Sequence, residues 1–265
     1  MPLTNQGNQC SLSKKSVVVI PTSQRPEFLA LTLKNLRTSP TAIDLDVRIF
    51  ADNVSEARLE EIEFVRDEYF PEALLLNAKP HIYAPSGTWN ILNAIKQGYE
   101  TGAEYIILLE EDIYVHPGFY DWHMSEMVTG EYLATCGRKD PCFYPLHPDI
   151  YTNPGSCLRR DLVAQLIPHI NDDYFTRLRG YLDEKFGPWD EMSQLDDGLI
   201  RRVIRQMGGK VKFPESPVCA HKGWRFYNKL DFYMNRGTIQ ERIAKLPDMM
   251  AKLKPGDRYA SDFEF

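Results

Sequence analysis

Three consecutive carboxylates, Glu110, Glu111 and Asp112, directly follow the apolar run from Tyr105 to Leu109. Such a run is typical of a strand buried on both faces, while adjacent acids repel one another and resist burial unless a cation neutralises them. Hard oxygen ligands favour Mg²⁺ or Mn²⁺, which commonly hold the phosphates of a nucleotide. The residues predict a metal and diphosphate site; the alternative is a strand that runs into a solvated acidic turn.

The elements that must position these carboxylates alternate between strand and helix. The predicted strands span residues 17–20, 46–51 and 73–76, and the predicted helices start at Pro26, span residues 56–68, and run from near Ser86 to Gly102. Together with the acidic strand, this alternation predicts an α/β protein with a mostly parallel, doubly wound central sheet and helices on both faces, in a single domain.

Polar residues recur where the predicted strands end. Thr22, Asp52 and the acidic triplet all lie at carboxyl ends, where ligands bind in sheets of this kind. Because strand side chains alternate, Glu110 and Asp112 should share one face and Glu111 the other. We therefore expect one functional edge on the sheet.

The pattern changes after the triplet. A helix is predicted over residues 118–127 and a strand around residues 132–136, followed by a proline-rich stretch over residues 141–154. A final amphipathic helix is predicted over residues 228–246. Its expected anchors are Phe232, Ile239, Ile243 and Leu246.

Composition limits the classes of protein. The chain has 265 residues, 43% hydrophobic and 26% charged, which is ordinary for a globular protein and unlike a disordered one. The apolar runs are too short to cross a bilayer, so we expect a cytoplasmic protein without a membrane segment. Five cysteines without a Cys-x-x-Cys pair predict free thiols in a reducing compartment and no zinc site.

Charge argues against a general affinity for nucleic acid. The net charge is −6, so no global basic field exists. Arginines do cluster in the second half, and we interpret each cluster as a solvated helix face, with a local basic groove as the alternative. They are Arg159, Arg160, Arg177, Arg179, Arg201, Arg202 and Arg205.

Several segments together resemble the GT-A glycosyltransferases, above all the inverting, metal-dependent families that use nucleotide sugars. The segments are Val17 to Pro26, Asp52, Ser86 to Asn90, Leu109 to Asp112, Asn153 to Ser156, Trp189 to Glu191 with Asp196 and Asp197, and His221 to Trp224. The resemblance implies a tail at residues 1–14, a nucleotide-sugar-binding half at 15–112, an acceptor-binding and catalytic half at 113–227, and a C-terminal helix and tail at 228–265.

The resemblance also implies roles at the metal and donor. Asp112 is expected to coordinate Mn²⁺ or Mg²⁺, with Glu111 near the ribose and Glu110 near the donor sugar. His221 is the expected second ligand, against the alternative of a structural histidine. A Glu in the middle of the triplet departs from the Asp-x-Asp and Glu-Asp-Asp patterns of these families.

Further donor contacts are expected around the nucleotide. Arg25 is expected to pair with phosphate, against the alternative of a surface arginine. Asp52 is expected to bind the nucleobase or ribose, against the alternative of a turn or cap residue. The other expected donor contacts are Pro21, Thr22, Ser86, Gly87 and Asn90.

Inverting transfer needs one carboxylate to deprotonate the acceptor hydroxyl. By resemblance we expect Asp197 as this base, with Asp196 as its neighbour and Asp190 as its rival. The alternative for Asp196 and Asp197 is helix capping without catalysis. Expected acceptor contacts are Gly155, Ser156, Trp189 and Trp224.

The predicted function is transfer of a sugar from a nucleoside-diphosphate sugar, most often a UDP-sugar in similar families, to a hydroxyl acceptor. Glycans, proteins, small molecules and hydroxymethylated nucleobases of nucleic acid stay open as acceptors, since fold does not dictate substrate. The alternatives are a non-catalytic nucleotide- or carbohydrate-binding protein and a sugar-nucleotide nucleotidyltransferase. The latter needs a glycine-rich first loop, and residues 21–26 contain no glycine.

Overall fold

A computed structural model of the chain describes residues 16–41, 44–83, 85–139, 150–188, 195–221 and 237–251. The strands are β1 (Ser16–Thr22), β2 (Asp46–Ala51), β3 (Leu74–Asn77), β4 (Tyr105–Leu108), β5 (Ile113–Val115), β6 (Ala134–Cys136), β7 (Ser156–Arg159), β8 (Val211–Lys212) and β9 (Cys219–His221). The α-helices are α1 (Pro26–Leu36), α2 (Glu56–Tyr69), α3 (Ser86–Glu100), α4 (Phe119–Met127), α5 (Arg160–Leu166), α6 (Asp172–Arg177), α7 (Arg179–Phe186), α8 (Asp196–Gln206) and α9 (Ile239–Ala251). In these ranges, no helix combines the length and apolar character needed to cross a membrane.

The central sheet confirms the predicted fold class. Seven strands lie in the order β3-β2-β1-β4-β7-β6-β8, and β5 and β9 form a separate two-stranded ladder. The first four strands in this order are mutually parallel. β7 is antiparallel to both β4 and β6, while β8 is parallel to β6. The sheet is therefore mostly parallel, and the strands of the second half extend it.

Helices cover both faces of this sheet. Successive side chains of a strand point to opposite faces, and the apolar run of β1 therefore supplies two cores. Val18 and Ile20 belong to the core under α1, α2, α4 and α9, whereas Val17 and Val19 belong to the core under α3, α5, α6, α7 and α8. Buried residues on both sides explain why the strand has no polar alternation.

Helix α3 packs very close to the sheet at Gly98. A Cβ atom at this position would lie 2.8 Å from Ile106 Cγ2 and 3.0 Å from Val19 Cγ1, closer than packed carbon atoms approach. The missing side chain lets α3 lie directly against β1 and β4. The amino end of the helix then reaches the carboxyl edge of the sheet.

The predicted strand over residues 17–20 is too short, because β1 continues through Pro21 to Thr22. Val19 accepts a hydrogen bond from the Leu109 N–H, at 3.0 Å, on the side of β4. Pro21, two residues later, faces the same side, where β4 has already ended at Leu108. No neighbouring strand there needs the N–H that proline lacks, so the strand tolerates it.

The C-terminal helix α9 begins at Ile239 and runs past its predicted end at Leu246 to Ala251, while residues 228–236 of the predicted helix lie outside the described residues. Thr238 and Glu241 form a capping box: the Thr238 N–H donates to the Glu241 carboxylate at 3.0 Å, and the Glu241 N–H donates to the Thr238 hydroxyl at 3.3 Å. This cap fixes the start of α9 at Ile239. Ile239 and Leu246 are buried as predicted, while Phe232 lies outside the described residues.

A buried ion pair ties α9 to the sheet-covering helices. Arg242 Nε lies 2.7 Å from Glu27 Oε1 of α1, and the same guanidinium also pairs with Glu61 of α2. The side chains of Glu27 and Arg242 are 1% and 5% exposed. Burial raises the pKa of Glu27 against the opposing effect of Arg242. The charge of Glu27 therefore depends on its partner in α9.

Replacing Arg242 should strongly destabilise the fold. R242M leaves the buried Glu27 carboxylate without its cation, and breaking a buried pair in this way costs about 3 to 5 kcal/mol of unfolding free energy. Urea unfolding followed by circular dichroism measures the loss. R177M is the matched control, since the Arg177 side chain is 41% exposed and its ion pairs should contribute under about 1 kcal/mol. Equal losses of unfolding free energy in R242M and R177M would show that the buried pair contributes no more than the exposed ones.

Candidate active site

The carboxyl ends of β1, β2 and β4 meet at one edge of the sheet. The Asp52 N–H donates to the Thr22 carbonyl at 3.1 Å, which joins the end of β1 to the residue after β2. Asn90 of α3 donates its side-chain N–H to the same carbonyl at 3.0 Å. The edge therefore brings together residues that the sequence places far apart.

Glu111 is held by the loop after β1. Its carboxylate accepts hydrogen bonds from the Thr22 hydroxyl, from the Ser23 N–H at 3.0 Å and from Arg25 Nε at 2.8 Å. Its backbone carbonyl accepts from the Thr32 hydroxyl at 2.6 Å. Glu111 is 6% exposed, and these donors compensate its burial. The expected contact of Glu111 with ribose stays a prediction.

Glu110 and Asp112 form a cluster with His221. One ligand atom from each of these three residues lies within 4.8 Å of the other two. His221 reaches the cluster because β9 pairs with β5, which places it opposite Ile113. The predicted alternation of strand side chains does not apply here, because the triplet lies in the turn after β4 and the guanidinium of Arg25 contacts both Glu111 and Asp112.

Burial and neighbouring charges shift the pKa values of Glu110 and Asp112 in opposite directions. Burial raises the pKa of Glu110 to about 8, against the opposing charge of His221. Burial also acts to raise the pKa of Asp112, but His221 and Arg25 outweigh it and lower this pKa to about 2. The distances agree, since Asp112 Oδ1 lies 3.2 Å from His221 Nε2 and Asp112 Oδ2 lies 3.0 Å from Arg25 Nη1. Asp112 is therefore the permanently charged member of the cluster.

The three residues fit a divalent cation by the chemistry of their donors. Two carboxylates and one imidazole offer hard oxygen atoms and a borderline nitrogen, a set that suits Mn²⁺ and accommodates Mg²⁺. Asp112 is 1% exposed, so a cation bound beside it would be shielded from competing water. The cluster can therefore hold the metal ion that the acidic triplet predicted.

The second pair of carboxylates lies at the amino end of α8. Asp196 is 5% exposed and accepts hydrogen bonds from the Thr88 hydroxyl, at 3.0 Å, and from the Asn153 side chain. Burial and the neighbouring charge of Asp197 raise the pKa of Asp196 to about 6. The charge of Asp196 also acts, after burial and Asp112, to raise the pKa of Glu110.

Asp197 is more open than Asp196. Its side chain is 21% exposed; Oδ1 accepts from the Gly198 N–H at 2.9 Å, and Oδ2 pairs with Arg201 at 3.0 Å. Arg201 Nε donates to the Tyr151 carbonyl at 2.7 Å, which fixes the guanidinium. Leu195 is the N-cap of α8, and Asp197 lies in the first turn, where its carboxylate accepts from a backbone N–H and stays partly exposed. This helix-stabilising contact does not exclude a catalytic role.

No protein-family model and no curated protein match this chain. It is similar to the mannosyltransferase PcManGT from Pyrobaculum calidifontis in complex with GDP-Man and Mn²⁺, with 13% identity, a TM-score of 0.55, and coverage of 88% of this chain and 69% of that chain. It is also similar to glucosyl-3-phosphoglycerate synthase from Mycobacterium tuberculosis in complex with Mg²⁺ and UDP, with 14% identity, a TM-score of 0.52, and coverage of 95% and 85%.

A third similar structure is S. aureus TarS 1-349 in complex with UDP-GlcNAc, with 14% identity, a TM-score of 0.50, and coverage of 95% of this chain and 76% of that chain. These neighbours are GT-A glycosyltransferases. The chain has the GT-A fold. At these identities the likeness establishes the fold, and the roles of individual residues depend on the site itself.

Within the GT-A fold, the remaining predicted donor residues surround the same edge. Asp52 is 1% exposed and bonds to His81, and burial raises the pKa of Asp52. Ser86 and Gly87 are exposed at the amino end of α3. Arg25 is engaged by Glu111 and Asp112, so its expected pairing with phosphate stays a prediction.

The predicted acceptor residues are less accessible. Ser156 is fully buried at the start of β7, where its hydroxyl lies 2.8 Å from that of Tyr151. Gly155 has φ +58°, and a Cβ atom there would lie 2.6 Å from Cys219 Sγ, so glycine is required by conformation and space. The contacts of Ser156 and Gly155 are structural. Their acceptor roles stay predictions, and the burial of the two residues does not support these roles. Trp189, Asp190 and Trp224 lie outside the described residues.

Several residues of the site were missed from the sequence. They are His81, Thr88 and Arg201, each of which holds a predicted acidic residue. His81 was detectable, because it follows the end of β3 and therefore lies at the same edge. The arginines of α8 were interpreted as a solvated face, which is wrong for Arg201 and Arg202, both 3% exposed.

The environment of Asp196 should appear in the pH dependence of stability. Its folded pKa of about 6 exceeds the ordinary value, so its contribution to stability is complete below about pH 4 and is lost as pH rises through about 6. D196N removes this effect. Its unfolding free energy relative to wild type should therefore increase between about pH 4 and pH 7, by on the order of 2 kcal/mol.

Urea unfolding across this pH range measures the difference between the two proteins. D67N is the control, since the Asp67 side chain is 63% exposed. A D196N difference that stays as flat with pH as the D67N difference would show that Asp196 titrates normally.

Proposed function

We propose that the protein is a metal-dependent glycosyltransferase that moves a sugar from a nucleoside-diphosphate sugar to a hydroxyl acceptor. The observation that carries this proposal is the cluster of Glu110, Asp112 and His221 at the carboxyl edge of a GT-A sheet. A second pair of carboxylates, Asp196 and Asp197, lies at the amino end of α8, and the charge of Asp196 acts on the pKa of Glu110 in that cluster. One acidic group for the donor and one for the acceptor are the groups that the reaction needs.

On the donor side, Glu110, Asp112 and His221 would hold Mn²⁺ or Mg²⁺. The ion supplies positive charge opposite the departing nucleoside diphosphate. Arg25 adds a fixed cation beside Asp112, and Thr22 and Asn90 fix the end of β1 against α3. Similar structures contain GDP-Man or UDP-GlcNAc, which makes UDP- and GDP-sugars the first donors to test.

On the acceptor side, we assign Asp197 as the base. It is the more exposed carboxylate, and Arg201 and the Gly198 N–H hold it in one orientation. Asp196 is buried, and both of its carboxylate oxygens already accept hydrogen bonds. We therefore assign Asp196 the role of positioning its neighbours and adding negative charge to the site. The base removes the proton from a hydroxyl that attacks the sugar on the side opposite the leaving group. Attack from that side inverts the configuration of the sugar.

A second candidate function is nucleotide binding without turnover. Arg25 and His221 both pair with Asp112, so the chain's own cations partly neutralise the acidic cluster. Binding of nucleoside diphosphates without release of sugar to any acceptor or to water would favour this candidate.

Donor turnover should require a divalent cation and Asp112. With UDP-GlcNAc, UDP-glucose and GDP-mannose as donors, release of nucleoside diphosphate should occur with Mn²⁺ or Mg²⁺, stop in excess chelator and return when the metal is restored. D112N should lower kcat/KM on the order of a hundredfold or more, because a charged ligand is lost. D46N is the control, since Asp46 is exposed at the start of β2. Turnover that persists undiminished in chelator would contradict the metal site.

Asp197 should control the chemical step and not donor binding. D197N should lower kcat about 10² to 10⁴-fold with little change in the affinity for nucleoside diphosphate, because general-base catalysis is lost. Single-turnover kinetics and calorimetric titration measure the two quantities separately. Full activity in D197N would transfer the role to Asp196 or Asp190. NMR of the product anomer tests inversion.

A further inference from the structure

The imidazole of His81 covers the carboxylate of Asp52, the residue that follows β2. Its Nε2 atom lies 2.9 Å from Asp52 Oδ1 and 3.0 Å from Asp52 Oδ2, nearly midway between the two oxygens. The side chain of Asp52 is 1% exposed and that of His81 is 7% exposed. A ligand can therefore reach the Asp52 carboxylate only if the imidazole that covers it moves away.

The hydrogen bonds of His81 define its tautomer. Nδ1 accepts a hydrogen bond from the Tyr83 N–H at 3.2 Å, so this nitrogen carries no proton. Nε2 then carries the proton and donates it to Asp52. A planar ring thus presents one ring N–H to the middle of a buried carboxylate.

The same ring stacks on two aromatic side chains. Its centroid lies 3.9 Å from that of Trp89, with an interplanar angle of 27°, and 5.7 Å from that of Tyr83, with an angle of 24°. Trp89 also contacts Phe50 and Phe175. A flat heteroaromatic ring that stacks on tryptophan and donates a ring N–H to a carboxylate makes the contacts that a nucleobase would make.

We propose that His81 is a built-in competitor of the nucleobase, which holds Asp52 and the face of Trp89 until a nucleotide displaces it. This inference depends on the proposed function, because it requires that the site binds a nucleotide. The apparent affinity is then lower than the intrinsic one by the fraction of molecules in which His81 has left.

Displacement of His81 by a nucleobase also predicts which bases compete well for Asp52. Uracil and guanine carry a ring N–H on the pairing edge, so either can replace the imidazole N–H on Asp52. Adenine and cytosine present a lone pair at the corresponding ring nitrogen, which the carboxylate repels. His81 and Asp52 together therefore select UDP and GDP over ADP and CDP.

Removing the imidazole should strengthen binding. Calorimetric titration of the full chain in Mn²⁺ with UDP, GDP, ADP and CDP compares wild type, H81A and H81F. H81A should bind UDP or GDP on the order of tenfold more tightly, since one charge-assisted hydrogen bond no longer competes. H81F keeps a ring on Trp89 but loses the N–H, so a smaller gain is expected. ADP and CDP should bind weakly to all three proteins.

Two controls complete the test. I82S changes the neighbouring residue, which is 97% exposed, and should leave each dissociation constant unchanged, while D52N should weaken binding of UDP and GDP. Nucleotide binding that is unchanged or weaker in H81A and H81F overturns the competitor role and leaves the proposed function intact. Absence of binding to wild type and to both His81 variants overturns both proposals.

Discussion

Burial of three adjacent negative charges at the end of β4 is the constraint on which the site depends. Glu111 is compensated by donors from the loop after β1, and Asp112 by Arg25 and His221. Thr22, Ser23 and Arg25 come from the end of β1 and the loop after it, and His221 comes from β9, so the acidic turn joins β1 to the β5–β9 ladder. Glu110 is left with a raised pKa, and a divalent cation would lower the cost of its ionisation.

The same edge has two sides with different electrostatics. Toward β2, Asp52 is buried beneath aromatic rings and bonds to a histidine. Toward α8, Asp196 is fixed by two neutral donors while Asp197 remains partly open. A buried carboxylate beneath aromatic rings on one side, a partly open carboxylate on the other, and the cluster of Glu110, Asp112 and His221 together support the proposed glycosyl transfer. In this account the GT-A fold supplies the edge and the side chains supply the chemistry.

The fold could be predicted from the sequence because short segments of the chain carry the apolar runs and turn residues that specify its strands. The run from Val17 to Ile20 is apolar on both faces, and the loops at Thr22 and Asp52 end their strands, so a parallel sheet with a polar carboxyl edge follows. The sequence was not sufficient for partners that come together only in three dimensions. The contacts of Asp52 with His81 and of Asp196 with Thr88 span 29 and 108 residues. The burial of Arg201 also required the packed structure, because charge alone predicts exposure.

The central claim is that a cation binds between Asp112 and the diphosphate of the donor. The most direct measurement is anomalous diffraction from crystals grown with Mn²⁺ and UDP, since manganese scatters anomalously and its position needs no assumption about the reaction. One strong peak is expected within coordination distance of Asp112 and His221 and of the UDP phosphates. A peak elsewhere, or bound UDP with no ion beside Asp112, would contradict the claim.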